Sequence, residues 1–237
     1  KVQSQPSHFA RDKEANLFYL DSTQQNFNKE IPFQTSNQLV ADLLTNELGK
    51  KVTLVADKAL DFKPVYRTSY DSLYTKLLQD SDNFIAEQLM LIVGAQVSDS
   101  YSVKKAIDFS LDNYLPDIPQ KPRWVDGSGL SRYNLFTPSS IVYLLKKMYN
   151  EIPNEQLFTY FPKGGQSGTL KNAYSGMSYL IAKSGTLSNN HNLSGFLVTQ
   201  KGKVLIFSYM NNHYQGSSND RKKEMELLFK TLHEKYH

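Results

Sequence analysis

The sequence has 237 residues, of which 40% are hydrophobic and 21% are charged, which is typical of a globular domain able to bury a core. Its 15 Tyr and 13 Phe exclude a disordered segment, and the absence of cysteine excludes disulfides, zinc–thiolate sites and cysteine nucleophiles. The net charge of +4 comes from 27 basic and 23 acidic residues scattered along the chain, so nucleic-acid binding is not expected.

Residues 1–35 are polar and contain one short apolar patch, 17–20, which predicts a single strand. The chain begins without an initiator Met and without a charged-then-apolar leader, so we expect it to start inside a longer precursor. No apolar run approaches the roughly 20 residues that span a bilayer, so no transmembrane segment is expected.

Apolar residues recur at helical spacing in five later stretches. The spacing predicts helices over 36–48, 69–79, 83–94, 102–114 and 138–150. Gly49 is expected to end the first of these helices, and Thr137 with Pro138 to begin the last. The β-branched run 52–55 predicts a short strand between the first two helices.

The last third of the sequence changes to strand-like runs over 179–182, 193–200 and 204–209. Lys201-Gly202-Lys203 predicts a hairpin turn between the last two runs, so we expect antiparallel strands. A closing helix is predicted over 219–236, with one apolar face suited to packing across the sheet.

Common catalytic signatures are absent from the sequence. No serine lies in G-x-S-x-G, no stretch fits a phosphate-binding loop, and the five histidines show no H-E-x-x-H spacing for a metal. His191 and His213 flank strand-like runs, so turn or surface positions are expected for both rather than catalytic roles. A Ser-His-Asp mechanism is therefore poorly supported.

Two short motifs remain, Ser81-Asp82-Asn83 and Lys183-Ser184-Gly185-Thr186. The first lies between two predicted helices, where a hydroxyl and an amide can project from a rigid corner. The second is expected to end a strand, where a cationic side chain can meet a substrate carboxylate and a glycine leaves room for a peptide along the strand edge. A helix cap and a plain strand end are the structural alternatives.

The wider sequence resembles the low-molecular-mass penicillin-binding proteins of the D-alanyl-D-alanine carboxypeptidase/endopeptidase class, over most of residues 60–210. Besides the two motifs, that class shows segments like 126–134, DGSGLSRYN, and 168–170, GTL, in the same order. The segment 126–134 is interpreted as structural, because its glycines suit a tight turn and its polar side chains can satisfy loop backbone groups.

The resemblance implies three catalytic residues, Ser81, Asn83 and Lys183. In that class the serine of the S-x-N motif relays protons near the acyl bond, the asparagine hydrogen-bonds the substrate amide, and the lysine assists by charge and hydrogen bonding. The resemblance also implies no metal and no organic cofactor.

Three substrate-binding residues, Ser184, Gly185 and Thr186, follow from the same resemblance. Ser184 would help to hold the terminal carboxylate of the substrate, and the bound peptide would lie beside Gly185. The backbone N–H of Thr186 would supply half of an oxyanion hole, and the N–H of the nucleophile would supply the other half.

The class also needs a nucleophile in an S-x-x-K pair upstream of S-x-N. The one S-x-x-K here, Ser102 to Lys105, lies after Ser81 at the start of a helix, where Ser102 is better explained as an N-cap. We therefore expect the nucleophile in a segment before residue 1, often separated by an inserted domain, and this chain alone to be inactive. Residues 1–35 would end that insertion, and residues 36–237 would form the C-terminal part of the penicillin-binding domain.

The implied fold is the α/β (α+β) arrangement of β-lactamases and penicillin-binding transpeptidases: an antiparallel sheet flanked by helices plus a helical lobe that carries Ser81, here incomplete at the N-terminus. The implied parent enzyme is a serine-type hydrolase that works outside the cytoplasmic membrane on peptidoglycan stem peptides and is acylated by β-lactams. A non-catalytic homologue that binds cell-wall peptide and a β-lactamase are the alternatives, and the missing S-x-x-K favours the first of them.

Overall fold

The computed structural model describes residues 10–12, 17–19, 34–55 and 69–236. The chain divides into two compact units, Lys1–Val65 and Tyr66–His237, which are described separately. The expected boundary after residue 35 stays a prediction.

The described residues of the first unit form a short antiparallel ladder and a helix. Strands β1 (Ala10–Arg11) and β2 (Phe18–Tyr19) pair antiparallel, and helix α1 spans Asn37–Leu48. The hydroxyl of Ser36 accepts a hydrogen bond from a first-turn backbone N–H, and Gly49 ends the helix in the left-handed region with φ 61°. The predicted helix and part of the strand predicted over 17–20 are confirmed.

The strand predicted over 52–55 is wrong. These residues form no strand, and the backbone N–H of Val52 donates to the hydroxyl of Thr45 at 3.0 Å. Val55 is 84% exposed. A β-branched run becomes a strand only where a neighbouring strand accepts its backbone hydrogen bonds, and the described part of the chain offers none here.

The helical part of the second unit confirms the predicted elements and adds short ones. Its helices are α2 (Tyr70–Gln79), α3 (Asn83–Val97), α4 (Val103–Asn113), α5 (Pro138–Glu151) and α6 (Asn154–Tyr160), followed by a 3₁₀ turn at Gly168–Leu170. Helix α3 passes its predicted end at Gly94, because this glycine is a packing contact rather than a cap. A Cβ at Gly94 would lie 2.3 Å from the backbone oxygen of Ser102.

The sheet of the second unit has three antiparallel strands in the order β3 (Leu180–Leu187), β4 (Asn190–Val198) and β5 (Val204–Asn212). Thr199 and Lys203 close the predicted hairpin between β4 and β5, where Gly202 has φ 78°. Strand β3 runs well beyond its predicted end, so Lys183 lies within the strand and not at its terminus.

Helices cover both faces of this sheet. Helix α7 (Ser218–Lys235) packs on one face through Met225 and Phe229, which are buried with Leu193 and Leu197 of β4. Helices α5 and α6 pack on the opposite face around the fully buried ring of Phe196. At about 25 cal/mol per Å² of apolar surface removed from water, these two layers supply the main stabilisation of the unit.

Within residues 10–12, 17–19, 34–55 and 69–236, no helix combines the length and the apolar character needed to cross a membrane.

Candidate active site

Ser81 occupies a sharp corner between α2 and α3. Its φ of 56° lies in the left-handed region, which costs a residue with a side chain about 1–2 kcal/mol. The next residue, Asp82, caps α3 by accepting a hydrogen bond from the backbone N–H of Ile85 at 2.9 Å. The cap interpretation is therefore confirmed for Asp82, while the hydroxyl of Ser81 is directed elsewhere.

The corner is fixed to the rest of the unit by Gln79, the last residue of α2. Its side-chain amide donates to the backbone oxygens of Thr159 at 3.1 Å and Phe161 at 2.7 Å. On its other side, a Cβ at Gly168 would lie 2.6 Å from the backbone oxygen of Gln79. The glycine of the GTL segment therefore allows the 3₁₀ turn to pack directly against the corner.

Lys183 reaches the corner from the middle of β3. Its Nζ donates to the hydroxyl of Ser81 at 2.7 Å and to the backbone oxygen of Ser184 at 2.8 Å. Burial lowers the pKa of Lys183 from its usual 10.5 to about 8, because removal from water disfavours the charged ammonium. None of the ion pairs found among the described residues involves this lysine.

The outer edge of β3 is covered at one end and open at the other. The backbone N–H of Ala182 donates across this edge to the oxygen of Pro162 at 2.9 Å. Because backbone groups alternate in direction along a strand, the N–H groups of Ser184 and Thr186 face the same edge. No other described strand pairs with that stretch. At Gly185, no described residue other than its two chain neighbours has an atom within 4 Å of the position that a Cβ would take.

The side chains of Ser184 and Thr186 lie on the α7 face of the sheet, opposite to that of Lys183. The hydroxyl of Ser184 is hydrogen-bonded to that of Thr169 at 3.1 Å, and the hydroxyl of Thr186 to Nδ1 of His191 at 2.9 Å. Both residues thus present backbone groups at the edge while neighbouring elements hold their side chains.

Asn83 begins α3 two residues after Ser81, and its side chain is exposed. The side-chain amide of Asn83 makes no hydrogen bond to another described residue. The structure thus brings Ser81 and the backbone oxygen of Ser184 into contact with the ammonium of Lys183, and places Asn83 two residues after Ser81 in the first turn of α3.

His191 is the residue near the site that the sequence interpretation misplaced. It is 2% exposed within β4, where its Nε2 is hydrogen-bonded to the hydroxyl of Tyr174 at 3.1 Å. The expected turn or surface position is wrong for His191 and correct for His213, which is exposed after β5. Its spacing of two from Leu193, on the buried face of the strand, was the signal that could have placed it inside.

The segment 126–134 forms a loop in which polar side chains satisfy backbone groups, as its composition predicts; that its role is only structural stays a prediction. The carboxylate of Asp126 accepts hydrogen bonds from the backbone N–H groups of Gly129 and Ser131 and from the side chain of Asn134. Its backbone is tied to α3, since the N–H of Ser128 donates to the carboxylate of Glu87 at 2.9 Å.

The alternative serine is a helix cap. The hydroxyl of Ser102 accepts a hydrogen bond from the backbone N–H of Lys105 at 3.3 Å, so the S-x-x-K spacing there marks the start of α4. Across the described ranges of the chain, no cluster of three or more His, Asp or Glu side chains could hold a metal ion.

The sequence that forms this site matches a known protein family. The D-Ala-D-Ala carboxypeptidase 3 (S13) family matches residues 68–232. D-alanyl-D-alanine carboxypeptidase DacB of Haemophilus influenzae is 29% identical over 170 residues, which cover 66% of this chain and 34% of that protein. The chain thus spans about a third of the length of this curated relative.

Solved structures show the same fold. Penicillin-binding protein 4 of Haemophilus influenzae, complexed with a β-lactam, superposes with a TM-score of 0.67 at 22% identity, covering 94% of this chain and 56% of that one. A class A β-lactamase representative from Bacteroides cellulosilyticus gives 0.52 at 17% identity, covering 70% and 62%. These two likenesses bear on the fold alone and confirm the predicted penicillin-binding and β-lactamase arrangement.

The family match extends from the residue before the N-cap of α2 into α7, and so includes the Ser81 corner, the loop 126–134 and the whole three-stranded sheet. The chain therefore belongs to the D-Ala-D-Ala carboxypeptidase 3 (S13) family of peptidases.

Proposed function

We propose that this chain forms two walls of the active site of a serine-type D-Ala-D-Ala carboxypeptidase or endopeptidase that acts on peptidoglycan stem peptides. The carrying observation is the 2.7 Å hydrogen bond from Lys183 to Ser81, which joins the S-x-N and K-S-G motifs across 102 positions of sequence. Two tripeptides that matched by chance would have no reason to share a hydrogen bond between partly buried polar side chains.

The open edge of β3 is the proposed seat of the peptide. An extended D-Ala-D-Ala end can pair with the outward backbone groups of Ser184 and Thr186, as in other cases of strand addition. The bare Cα of Gly185 leaves space for the methyl side chain of an alanine residue. The hydroxyl of Ser184 would help to hold the terminal carboxylate, and the amide of Asn83 would bind the substrate amide.

The proposed nucleophile is a serine of an S-x-x-K pair outside these 237 residues. Its hydroxyl passes its proton to the lysine of that pair as its oxygen attacks the carbonyl carbon between the two D-alanines. The developing oxyanion accepts hydrogen bonds from the N–H of Thr186 and the N–H of the serine itself. The C–N bond then breaks, and the terminal D-alanine leaves as an amine that takes a proton relayed through Ser81. Water hydrolyses the resulting ester and restores the serine.

The proton relay is supported by the state of Lys183. A pKa of about 8 lies close to neutral pH, and acid–base partners transfer protons most effectively when their pKa is near the working pH. Because the Nζ already donates to the hydroxyl of Ser81, a proton that leaves Ser81 can be replaced from the lysine.

The same chemistry predicts acylation by β-lactams, whose strained amide carbonyl takes the position of the D-Ala-D-Ala carbonyl. Since peptidoglycan lies beyond the cytoplasmic membrane, we propose an extracytoplasmic location, in the periplasm or cell envelope.

A non-catalytic homologue that binds cell-wall peptide is the second candidate. One observation favours it: the S-x-x-K at Ser102 is a helix cap and lies after Ser81. Such a protein would use the open edge of β3 without a nucleophile. A β-lactamase shares the fold, but the family match is to carboxypeptidases.

Intact-mass spectrometry after incubation with benzylpenicillin separates these candidates. The protein as its gene encodes it is expected to gain the mass of one penicillin, and residues 1–237 alone are expected to gain none. No adduct on the encoded protein would refute the enzyme proposal. An adduct on residues 1–237 would show that the nucleophile lies within this sequence.

A further inference from the structure

A buried hydrogen-bonded chain lies behind the open edge of β3. It runs from the hydroxyl of Tyr174 to Nε2 of His191 at 3.1 Å and from Nδ1 of His191 to the hydroxyl of Thr186 at 2.9 Å. A neutral imidazole satisfies both contacts in either tautomer, because each hydroxyl can donate or accept. The chain thus connects the interior of the unit to the strand edge.

The inner end of this chain is rigid. Tyr174 is fully buried against the ring of Phe229 and the sulfur of Met225 on α7. Its φ of 55° is unusual for a bulky residue and costs about 1–3 kcal/mol, so the surrounding packing must impose it. Backbone outliers of this kind cluster at functional sites.

The outer end of this hydrogen-bonded chain, Thr186, is exposed and lies near a hairpin turn. Thr186 pairs with His191 across the β3–β4 ladder, one residue before the strand ends at Leu187. An edge strand next to a turn frays readily, because solvent competes for its unpaired backbone groups. The hydroxyl of Thr186 is the link that ties this end of the edge to the interior.

We propose that His191 is a positioning residue: through the hydroxyl of Thr186 it fixes the backbone N–H of that residue in the orientation that an oxyanion requires. This inference rests on the proposed function. His191 is buried on the α7 face of the sheet and is hydrogen-bonded to Thr186, so it would act on the edge through that residue. A parallel tie from Thr169 holds the hydroxyl of Ser184 on the same face.

The charged surroundings of His191 agree with a neutral, structural imidazole. Burial, reinforced by the positive charge of Lys222 on α7, lowers the pKa of His191. Glu226 on the same helix acts on Tyr174, whose phenol pKa is raised, first by burial and then by this carboxylate. The imidazole of His191 and the phenol of Tyr174 therefore both stay uncharged near neutral pH.

The test is a double-mutant cycle in the protein as its gene encodes it, with the rate of acylation by a fluorescent penicillin as the readout. Loss of one oxyanion donor costs about 10²–10³ in rate, and a displaced donor costs part of that. We expect H191F and T186V each to slow acylation about tenfold or more, with unchanged non-covalent affinity. The double variant should be no slower than the slower single variant, because both changes break the same link.

Two further variants make the cycle specific. H191N keeps a polar partner for the hydroxyl of Thr186, so it should restore most of the lost rate. H233F is the control: His233 stacks on Tyr179 and is hydrogen-bonded to the backbone oxygen of Val198, at the far end of β4 from His191, so its loss should leave the acylation rate unchanged.

Each outcome has one meaning. If the wild-type protein is acylated and H191F reacts at the same rate, the positioning role is overturned and the proposed function is not. The same holds if the rate losses of H191F and T186V multiply in the double variant. An unreactive wild-type protein would instead overturn the proposed function. Thr186 is exposed, so T186V should fold even if H191F does not. In that case a wild-type rate for T186V would by itself overturn the inference.

Discussion

The buried ammonium of Lys183 makes the stability of the protein depend on pH. Its pKa is about 8 in the folded chain and 10.5 as a free side chain, because folding removes the group from water. Between these two values the unfolded chain binds more protons than the folded chain. The free energy of unfolding must therefore rise with pH across this window.

The size of the effect follows from the shift. One pKa unit corresponds to about 1.4 kcal/mol, so folding disfavours the charged form of Lys183 by about 3 kcal/mol. Very little of this is relieved at pH 7, where the ammonium is protonated in both states. By pH 9.5 the folded chain has released most of the proton and the unfolded chain has not, which recovers about 2 kcal/mol.

The K183M variant isolates this term, because methionine removes the ionisable group and keeps an unbranched chain of similar length. Urea unfolding at pH 7 and pH 9.5, followed by tryptophan fluorescence, gives the free energy of unfolding of both proteins. The free energy of unfolding of the wild type minus that of K183M is expected to be about 2 kcal/mol larger at pH 9.5 than at pH 7. K201M, at an exposed turn position, is the control and should show no such change.

A difference that is flat or falls with pH would refute the assignment of Lys183 as a desolvated cation. It would mean that a charge outside the contacts described above compensates the ammonium in the folded chain.

Three other predictions concern the corner, the edge and the loop. S81A should slow acylation by penicillin at least about 100-fold, because it removes the proton relay, whereas S188A, in a second S-x-N sequence at an exposed turn, should have no effect. G185V should leave the melting temperature unchanged and block acylation, since a side chain there has free space but fills the seat of the peptide; G195A should instead destabilise the fold by about 1–3 kcal/mol, because its Cβ would lie 2.2 Å from the oxygen of Ile181. D126A should lower the free energy of unfolding by about 1–3 kcal/mol, measured in urea, by leaving loop N–H groups without an acceptor.

Helices that the sequence predicted carry their own boundary signals. Ser69, Ser102 and Thr137 each accept a hydrogen bond from a first-turn N–H, so the residue types that suggested the helix starts also make the caps. Helix α6 was missed because it has seven residues, follows Pro153 and lacks a side-chain cap. Its burial comes from packing of Leu157 beneath the sheet, which no local pattern records.

The candidate site likewise has a part that the sequence predicted and a part that it did not. Local pattern and resemblance together identified Ser81 and Lys183, but no spacing rule relates residues 102 positions apart, so their contact had to come from the fold. The pKa of Lys183 depends on burial by distant elements, and the buried position of His191 depends on which face of β4 meets α7. These properties depend on tertiary structure, so no local pattern in the sequence could predict them.

The distribution of unfavourable features supports the proposed catalytic role over that of a binding module. Ser81 and Tyr174 hold left-handed backbone conformations, and Lys183 is a buried cation without a carboxylate within ion-pair distance among the described residues. All three are linked to the same strand, β3, either within it or through one or two hydrogen bonds. A module that only captures an extended peptide needs the open edge and Gly185, and would be more stable with Lys183 replaced. A pKa near neutrality beside a serine hydroxyl suits the proton transfer proposed above.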